Sequence, residues 1–80
     1  MDVGKLVTMV NRIGEFFSAE PDADAAQQGI ADHVRKFWAP SMRAALLAAL
    51  DGPGPADALQ PLVRSALMRH RAMLQPRQAA

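Results

Sequence analysis

The sequence predicts an all-α fold, a small bundle of three to four helices. Half of the 80 residues are apolar, and Ala and Leu far outnumber the β-branched residues, a composition that favours helix over sheet. Apolar residues recur at helical spacing in four segments, as on the buried face of an amphipathic helix. Helix-breaking residues separate the segments, and we expect breaks near Pro21, near Pro40 and at the Gly52–Pro55 linker.

The first segment is predicted to form a helix that begins after Asp2, whose carboxylate can accept hydrogen bonds from the free amides of the first turn. Gly14 lies on the apolar stripe of this helix. Because Gly costs roughly 1 kcal/mol relative to Ala in a helix, we expect another helix to approach closely at this position. The stripe consists of Val3, Leu6, Val7, Val10, Ile13, Gly14 and Phe17.

The second segment follows Pro21, and either Asp22 or Asp24 can cap the helix that it forms. Pro40 removes a backbone amide and clashes with the preceding turn, so we expect this helix to end two or three residues earlier. A short turn joins the first two helices, which predicts an antiparallel pair with the other two helices packed across it. The second stripe consists of Ala26, Ile30, Val34 (or His33), Phe37 and Trp38.

The third helix is predicted to begin at Pro40 or Ser41 and to stop before Gly52, since Gly commonly follows a helix C-terminus. The stripe of this helix consists of Met42, Ala45, Leu46, Ala49 and Leu50. Residues 51–57 are rich in Pro and Gly and are predicted to form a linker.

The fourth helix is predicted to carry Pro61 in its first turn, where the missing amide is no loss. We expect Arg64, Arg69 and Arg71 to face water. Residues 1–75 then form a single helical domain, and residues 76–80 a flexible tail. The fourth stripe consists of Leu59, Leu62, Val63, Ala66, Leu67, His70 and Leu74.

Charge and composition argue against several function classes. Nine basic and eight acidic residues give a net charge of +1, whereas nucleic-acid binders normally show a clear basic excess on one face. Without Cys there are no disulfides or thiolate metal sites, and two His alone cannot form a structural zinc site. No apolar run approaches the roughly 20 residues of a membrane span, and the charged opening is unlike a signal peptide. We therefore expect a cytoplasmic protein that binds neither nucleic acid nor membrane.

Catalytic motifs are not found either. There is no His-Glu-x-x-His sequence and no Gly-rich phosphate loop, and the neighbours Asp32 and His33 point about 100° apart on a helix. A helix-turn-helix drawn over residues 24–50 would have one Arg and no Asn, Gln or Lys on its second helix to contact bases. A chain this short buries only about 60–65% of its unfolded surface. We therefore expect another protein or a second copy to support it.

The stretch ADHVRKFWAPSMR, residues 31–43, concentrates the only Trp, one of three Phe, one of two His and three of nine basic residues. Trp and Arg are enriched at interaction hot spots, which favours a docking surface. In the alternative, Phe37 and Trp38 both fold into the core and the basic side chains are solvated. The residue types alone leave this alternative open.

The chain contains two motifs. Residues 6–17 carry Leu-Val-x-Met-x-Asn-x-Ile followed by a Phe-Phe pair, and residues 32–43 carry Asp-His-x-x-x-Phe-Trp-x-Pro-x-Met-Arg. With these motifs, the chain from Lys5 to about Leu67 resembles the delta subunit of soluble, NAD-dependent formate dehydrogenases that contain molybdenum or tungsten. The motif positions are Leu6, Val7, Met9, Asn11, Ile13, Phe16 and Phe17, then Asp32, His33, Phe37, Trp38, Pro40, Met42 and Arg43.

This resemblance implies a non-catalytic accessory subunit whose partners are the alpha subunit and the rest of the complex. The alpha subunit of such complexes carries bis-molybdopterin guanine dinucleotide with Mo or W and oxidises formate. Iron–sulfur clusters then pass electrons to a subunit that carries FMN and reduces NAD. No cofactor is expected on this chain, which has no Cys to hold a cluster. The alternative is a stand-alone helical interaction module or homodimer unrelated to formate oxidation.

The resemblance also gives the stretch at residues 32–43 a predicted role, as the helix end and turn that dock on the alpha subunit. Trp38 is the expected apolar anchor, and Pro40 fixes the turn. Basic side chains are expected to make charge-assisted hydrogen bonds around the anchor. The predicted interface residues are His33, Arg35, Phe37, Trp38, Pro40, Met42 and Arg43.

Overall fold

The computed structural model describes residues 2–77, which form five α-helices and one 3₁₀ turn and contain no β-strand. The all-α prediction is thereby confirmed. Residues 78–80, the larger part of the predicted tail, lie outside the described residues. The helices are α1 (Val3–Phe17), α2 (Ala23–Phe37), α3 (Pro40–Leu50), α4 (Pro61–Arg69) and α5 (Arg71–Leu74), and the 3₁₀ turn is Pro55–Ala58.

Local sequence signals set the helix ends where they were predicted. Asp2 Oδ1 accepts a hydrogen bond from the Gly4 amide at 2.9 Å. Of the two possible caps of α2, Asp22 takes the role, accepting from the Asp24 amide at 2.9 Å. Pro40 and Pro61 are the first residues of α3 and α4, where a missing amide costs nothing.

The helix α2 lies at the centre of the fold, packed against α1, α4 and α5, while α3 packs against α1, the 3₁₀ turn and α5. The helices α1 and α4 approach closely at Gly14, where an added Cβ would overlap Cγ2 of Val63. This confirms the close helix contact predicted at Gly14. The most deeply buried large side chains are Ile30, Leu46, Leu67, Leu74, Val10, Val34 and Val63.

The predicted linker is more ordered than expected. Its second half forms the 3₁₀ turn, and Ala56 and Leu59 are buried. The side-chain amide of Asn11 holds this region from α1: Nδ2 donates to the carbonyl of Ala58, and Oδ1 accepts from the amide of Gln60, both at 3.0 Å. Proline and glycine predicted a linker here, but the two hydrogen bonds that hold it come from Asn11, almost 50 positions away in the sequence. We call this pair of hydrogen bonds the Asn11 clasp.

The fourth predicted helix is divided at His70, which leaves the helical conformation (φ −105°, ψ 23°). The break redirects the chain so that α5 contacts α2 and α3 and Leu74 is buried. Arg71 then reaches the end of α3, where its guanidinium donates to both carboxylate oxygens of Asp51 and to the carbonyl of Leu47.

The other two arginines expected to face water also have partners. Arg64 donates from Nη2 to the carbonyl of Ala56 and is half-buried. Arg69 is exposed and forms an ion pair with Asp24 at 2.5 Å. The prediction that these arginines face water therefore holds for Arg69 and is wrong for Arg64 and Arg71, which are half-buried. Arg64 ties α4 to the 3₁₀ turn, and Arg69 ties it to α2.

Candidate functional site

Trp38, the expected anchor, is buried in the chain's own core, with only 7% of the residue exposed. The reason lies in its position on α2. Trp38 is the C-cap of the helix, and its amide still donates to the carbonyl of Val34, so its side chain lies on the same helical face as Val34 and Ile30, which are buried four and eight residues earlier. The preceding residue, Phe37, is 66% exposed instead. Of the two positions left open for Trp38, the structure shows the one in the core, and the exposed ring at the end of α2 belongs to Phe37.

Arg43 is buried as well, with only 5% of the residue exposed. No acceptor among residues 2–77 lies within hydrogen-bond distance of its Nε or Nη1 atoms. Buried guanidinium groups are normally paired, because an unpaired buried donor costs free energy. The charge-assisted hydrogen bonds predicted for Arg43 were bonds to a partner subunit, and they stay a prediction.

The structure brings only part of the predicted interface together. His33 and Phe37 are one helical turn apart, and their ring centroids lie 4.8 Å from each other. Lys36 places its Nζ atom 5.7 Å from the centroid of the Phe37 ring. Arg35 is exposed, but it lies about 200° around α2 from His33 and thus on another side of the helix. Of the remaining predicted residues, Pro40 is exposed and Met42 is half-buried.

A groove between α1 and α2 adds residues that the sequence-based site did not include. It has a volume of about 430 Å³ and is open to solvent. Phe16, with 76% of the residue exposed, stands at its edge, and the Phe16 and Phe17 ring centroids are 5.1 Å apart in an edge-to-face arrangement. We call this feature the aromatic groove. Its lining residues are Arg12, Ile13, Phe16, Phe17 and His33.

The Phe-Phe pair was the sequence signal for this groove. Neighbouring residues on a helix point about 100° apart, so Phe16 and Phe17 cannot both enter the core. Phe17 takes the inner position because α2 offers space at Gly29, where an added Cβ would overlap the Phe17 ring. Phe16 is left at the surface.

The described residues offer no fitting site for a metal or an iron–sulfur cluster. Among residues 2–77, no three His, Asp or Glu side chains are grouped so that they could hold a metal ion. The whole sequence has no Cys, the ligand that iron–sulfur clusters require. Among the helices of residues 2–77, none combines the length and the apolar character needed to cross a membrane.

One comparison with known proteins gives a match. The family model described as "NADH-dependant formate dehydrogenase delta subunit FdsD" matches residues 5–67. The matched range runs from the first turn of α1 to Leu67 in α4 and thus includes both walls of the aromatic groove. No curated protein and no solved structure gives a significant match.

Proposed function

The chain belongs to the family of NADH-dependent formate dehydrogenase delta subunits, and on this premise we propose that it is a non-catalytic accessory subunit. It docks on the catalytic alpha subunit and supports the assembly or stability of the complex. The family match over residues 5–67 is the observation that carries this proposal. The cytoplasm, expected from the sequence, is its proposed location.

The chemistry of the side chains supports an accessory role. The aromatic groove, the larger of the two surface concavities described in residues 2–77, is lined by one His, one Arg and three apolar residues. General acid–base catalysis requires a titratable pair or a base oriented by a second polar group, and the groove lining offers neither. We therefore assign formate oxidation and electron transfer, with the bis-molybdopterin guanine dinucleotide centre (Mo or W), the iron–sulfur clusters and FMN, to other subunits.

The surface of the chain supports docking. Within residues 2–77 four large apolar side chains are exposed, and two of them, Phe16 and Phe37, are aromatic. Aromatic side chains are enriched at interaction hot spots, and a domain this small gains little stability from its core alone. His33, Arg35, Phe37, Pro40 and Met42 stay in the proposed interface.

The two buried members of the predicted interface receive revised roles. We assign Trp38 a supporting role, in which the buried indole fixes the α2–α3 turn and thereby presents Phe37. Arg43 has two buried donors without acceptors in residues 2–77. A partner that supplies an acceptor at the edge of this guanidinium would lower the cost of its burial.

A tagged copy of the chain, purified from its native host, tests the proposal. We expect a coloured complex with flavin and iron–sulfur absorption and formate-dependent NAD reduction, in which mass spectrometry identifies the alpha subunit. Cells that lack the chain should yield less complex, while the turnover number of each fully loaded complex stays unchanged. A colourless homodimer, or a complex without formate dehydrogenase subunits, would contradict the proposal.

A further inference from the structure

We infer that the aromatic groove is a docking site for an amphipathic helix of a partner protein, one whose apolar side chains are flanked by carboxylates. This inference rests on the proposed function, which provides the partner protein that carries the helix. The chemistry of the helix is inferred from the groove: from the residue spacing on α1, the charges beside the groove and the size of the groove.

The helix α1 has a wider apolar surface than its own fold uses. Its inner face, with Val10 and Gly14 at the centre, is buried against the rest of the chain. A second set, Met9, Ile13 and Phe16, follows at positions i, i+4 and i+7, and these positions share one face of a helix. Met9 and Phe16 are exposed, and Ile13 is half-buried. This outer apolar face has no covering element within residues 2–77.

The groove has dimensions that suit a helix. The α1 residues that line the groove lie between positions 12 and 17 and extend for about 8 Å along α1, at 1.5 Å per residue, which is about one and a half turns of a partner helix. Helices that dock in grooves insert apolar residues at i, i+3 or i+4, and i+7, the same spacing that α1 presents on its outer face.

The charges beside the groove select an acidic partner. Arg12 and His33 line the groove, and no carboxylate is among its lining residues. Lys36 adds a cation near His33, because its Nζ atom lies over the Phe37 ring, whose centroid is 4.8 Å from that of His33. The nearby carboxylate of Asp32 accepts a hydrogen bond from Gln28 Nε2 at 2.8 Å and does not line the groove. Carboxylates beside the apolar stripe of the partner would therefore meet complementary charge.

The same charges disfavour a second copy of this chain as the occupant. A two-fold interface places the same surface patch on both sides. Two aromatic grooves facing each other would bring Arg12 of one copy towards the cationic rim of the other, and like charges across an interface are unfavourable. The partner is thus expected to be a different protein.

Site-specific photocrosslinking in the purified complex tests the inference. We would place p-benzoylphenylalanine at position 16 and, as a matched control, at position 68. Met68 is also apolar and 61% exposed, but it lies on α4 outside the groove. Position 16 should crosslink to a helical segment with Asp or Glu within one turn of its apolar residues, whereas position 68 should not crosslink to that segment.

Substitutions give a second readout. Phe16→Ser should weaken retention of the chain in the complex by a factor of about 10 to 100. Met68→Ser should leave retention unchanged, and both variants should keep the circular dichroism spectrum of the parent.

The other outcomes separate the two proposals. If the chain copurifies with formate dehydrogenase but position 16 gives no crosslink and Phe16→Ser is retained, the inference fails and the proposed function stands. A crosslink between two copies of the chain, or to a basic segment, also overturns the inference. If no formate dehydrogenase subunit copurifies even with the parent chain, the proposed function fails, and no acidic partner helix of that complex occupies the groove.

Discussion

Replacing Asn11 by Ala should destabilise the fold more than its half-buried position suggests. The Asn11 side chain makes two hydrogen bonds across the chain, to the carbonyl of Ala58 and from the amide of Gln60. The Gln60 amide is partly buried, and a buried donor left without an acceptor costs about 1–3 kcal/mol. The Ala58 bond is exposed, so water can replace it at a cost of about 0.5 kcal/mol.

The substitution also has a compensating effect. Ala is the better helix former by about 0.5 kcal/mol, which offsets the loss of the exposed bond. The net expected loss is therefore about 1–3 kcal/mol, and each kcal/mol should lower the Tm of a domain of this size by roughly 4–8 °C.

Urea and thermal unfolding, followed by circular dichroism at 222 nm, measure this loss. Gln28→Ala is the matched control, because Gln28 also uses a side-chain amide, in an exposed hydrogen bond to Asp32 within the same helix. We expect the control to change the free energy of unfolding by less than about 0.5 kcal/mol. If Asn11→Ala is no less stable than Gln28→Ala, Asn11 does not hold the 3₁₀ turn against α1, and the reasoning fails.

Three further substitutions test the buried positions. Trp38→Ala should cost about 3–5 kcal/mol in thermal unfolding, whereas Phe37→Ala should cost less than about 0.5 kcal/mol; the reverse order would refute the burial of Trp38. Overlap with Val63 should cost Gly14→Ala about 1–3 kcal/mol, of which the better helix propensity of Ala returns about 1 kcal/mol, and adding Val63→Ala should cost less in this background than in the parent. If a double-mutant cycle measures no coupling between positions 14 and 63, the two helices are not in contact there. Arg43→Met should leave the free energy of unfolding of the isolated chain in urea equal to that of the parent or raise it by about 1 kcal/mol. A clear destabilisation would mean that the guanidinium has an acceptor in the folded chain.

Local chemistry made the helix boundaries predictable from the sequence. The Asp2 cap, the break before Pro40 and the position of Pro61 each depend on a few neighbouring residues. The apolar spacing also placed Trp38 on the buried face of α2, where the structure has it, but it failed at Phe37, which belongs to the same predicted stripe and is exposed. The surface role expected of Trp38 came from the enrichment of Trp at interaction hot spots, which carries no information on burial.

Long-range contacts escaped prediction for a different reason. The Asn11 clasp and the ion pairs of Arg69 and Arg71 join residues that are 20 to 49 positions apart. The spacing of apolar residues along the sequence carries no information about such pairs. The exposed ring of the aromatic groove was predictable, since the apolar stripe of α1 includes Phe17 and leaves out Phe16, but the contact that holds Phe17 against α2 at Gly29 was not.

The Asn11 clasp has a consequence for synthesis of the chain. Asn11 and Gln60 are 49 positions apart, and at about 5–20 residues per second the ribosome needs roughly 2–10 s to make the second after the first. During that interval α1 has neither its anchor nor the α4 contact at Gly14. Nascent chains that end before Pro61 should accordingly show no cooperative thermal transition. Until most of the chain has been translated, only α2 and α3 can pack on the first helix, so its Gly14 side is open to chaperones or to a waiting partner.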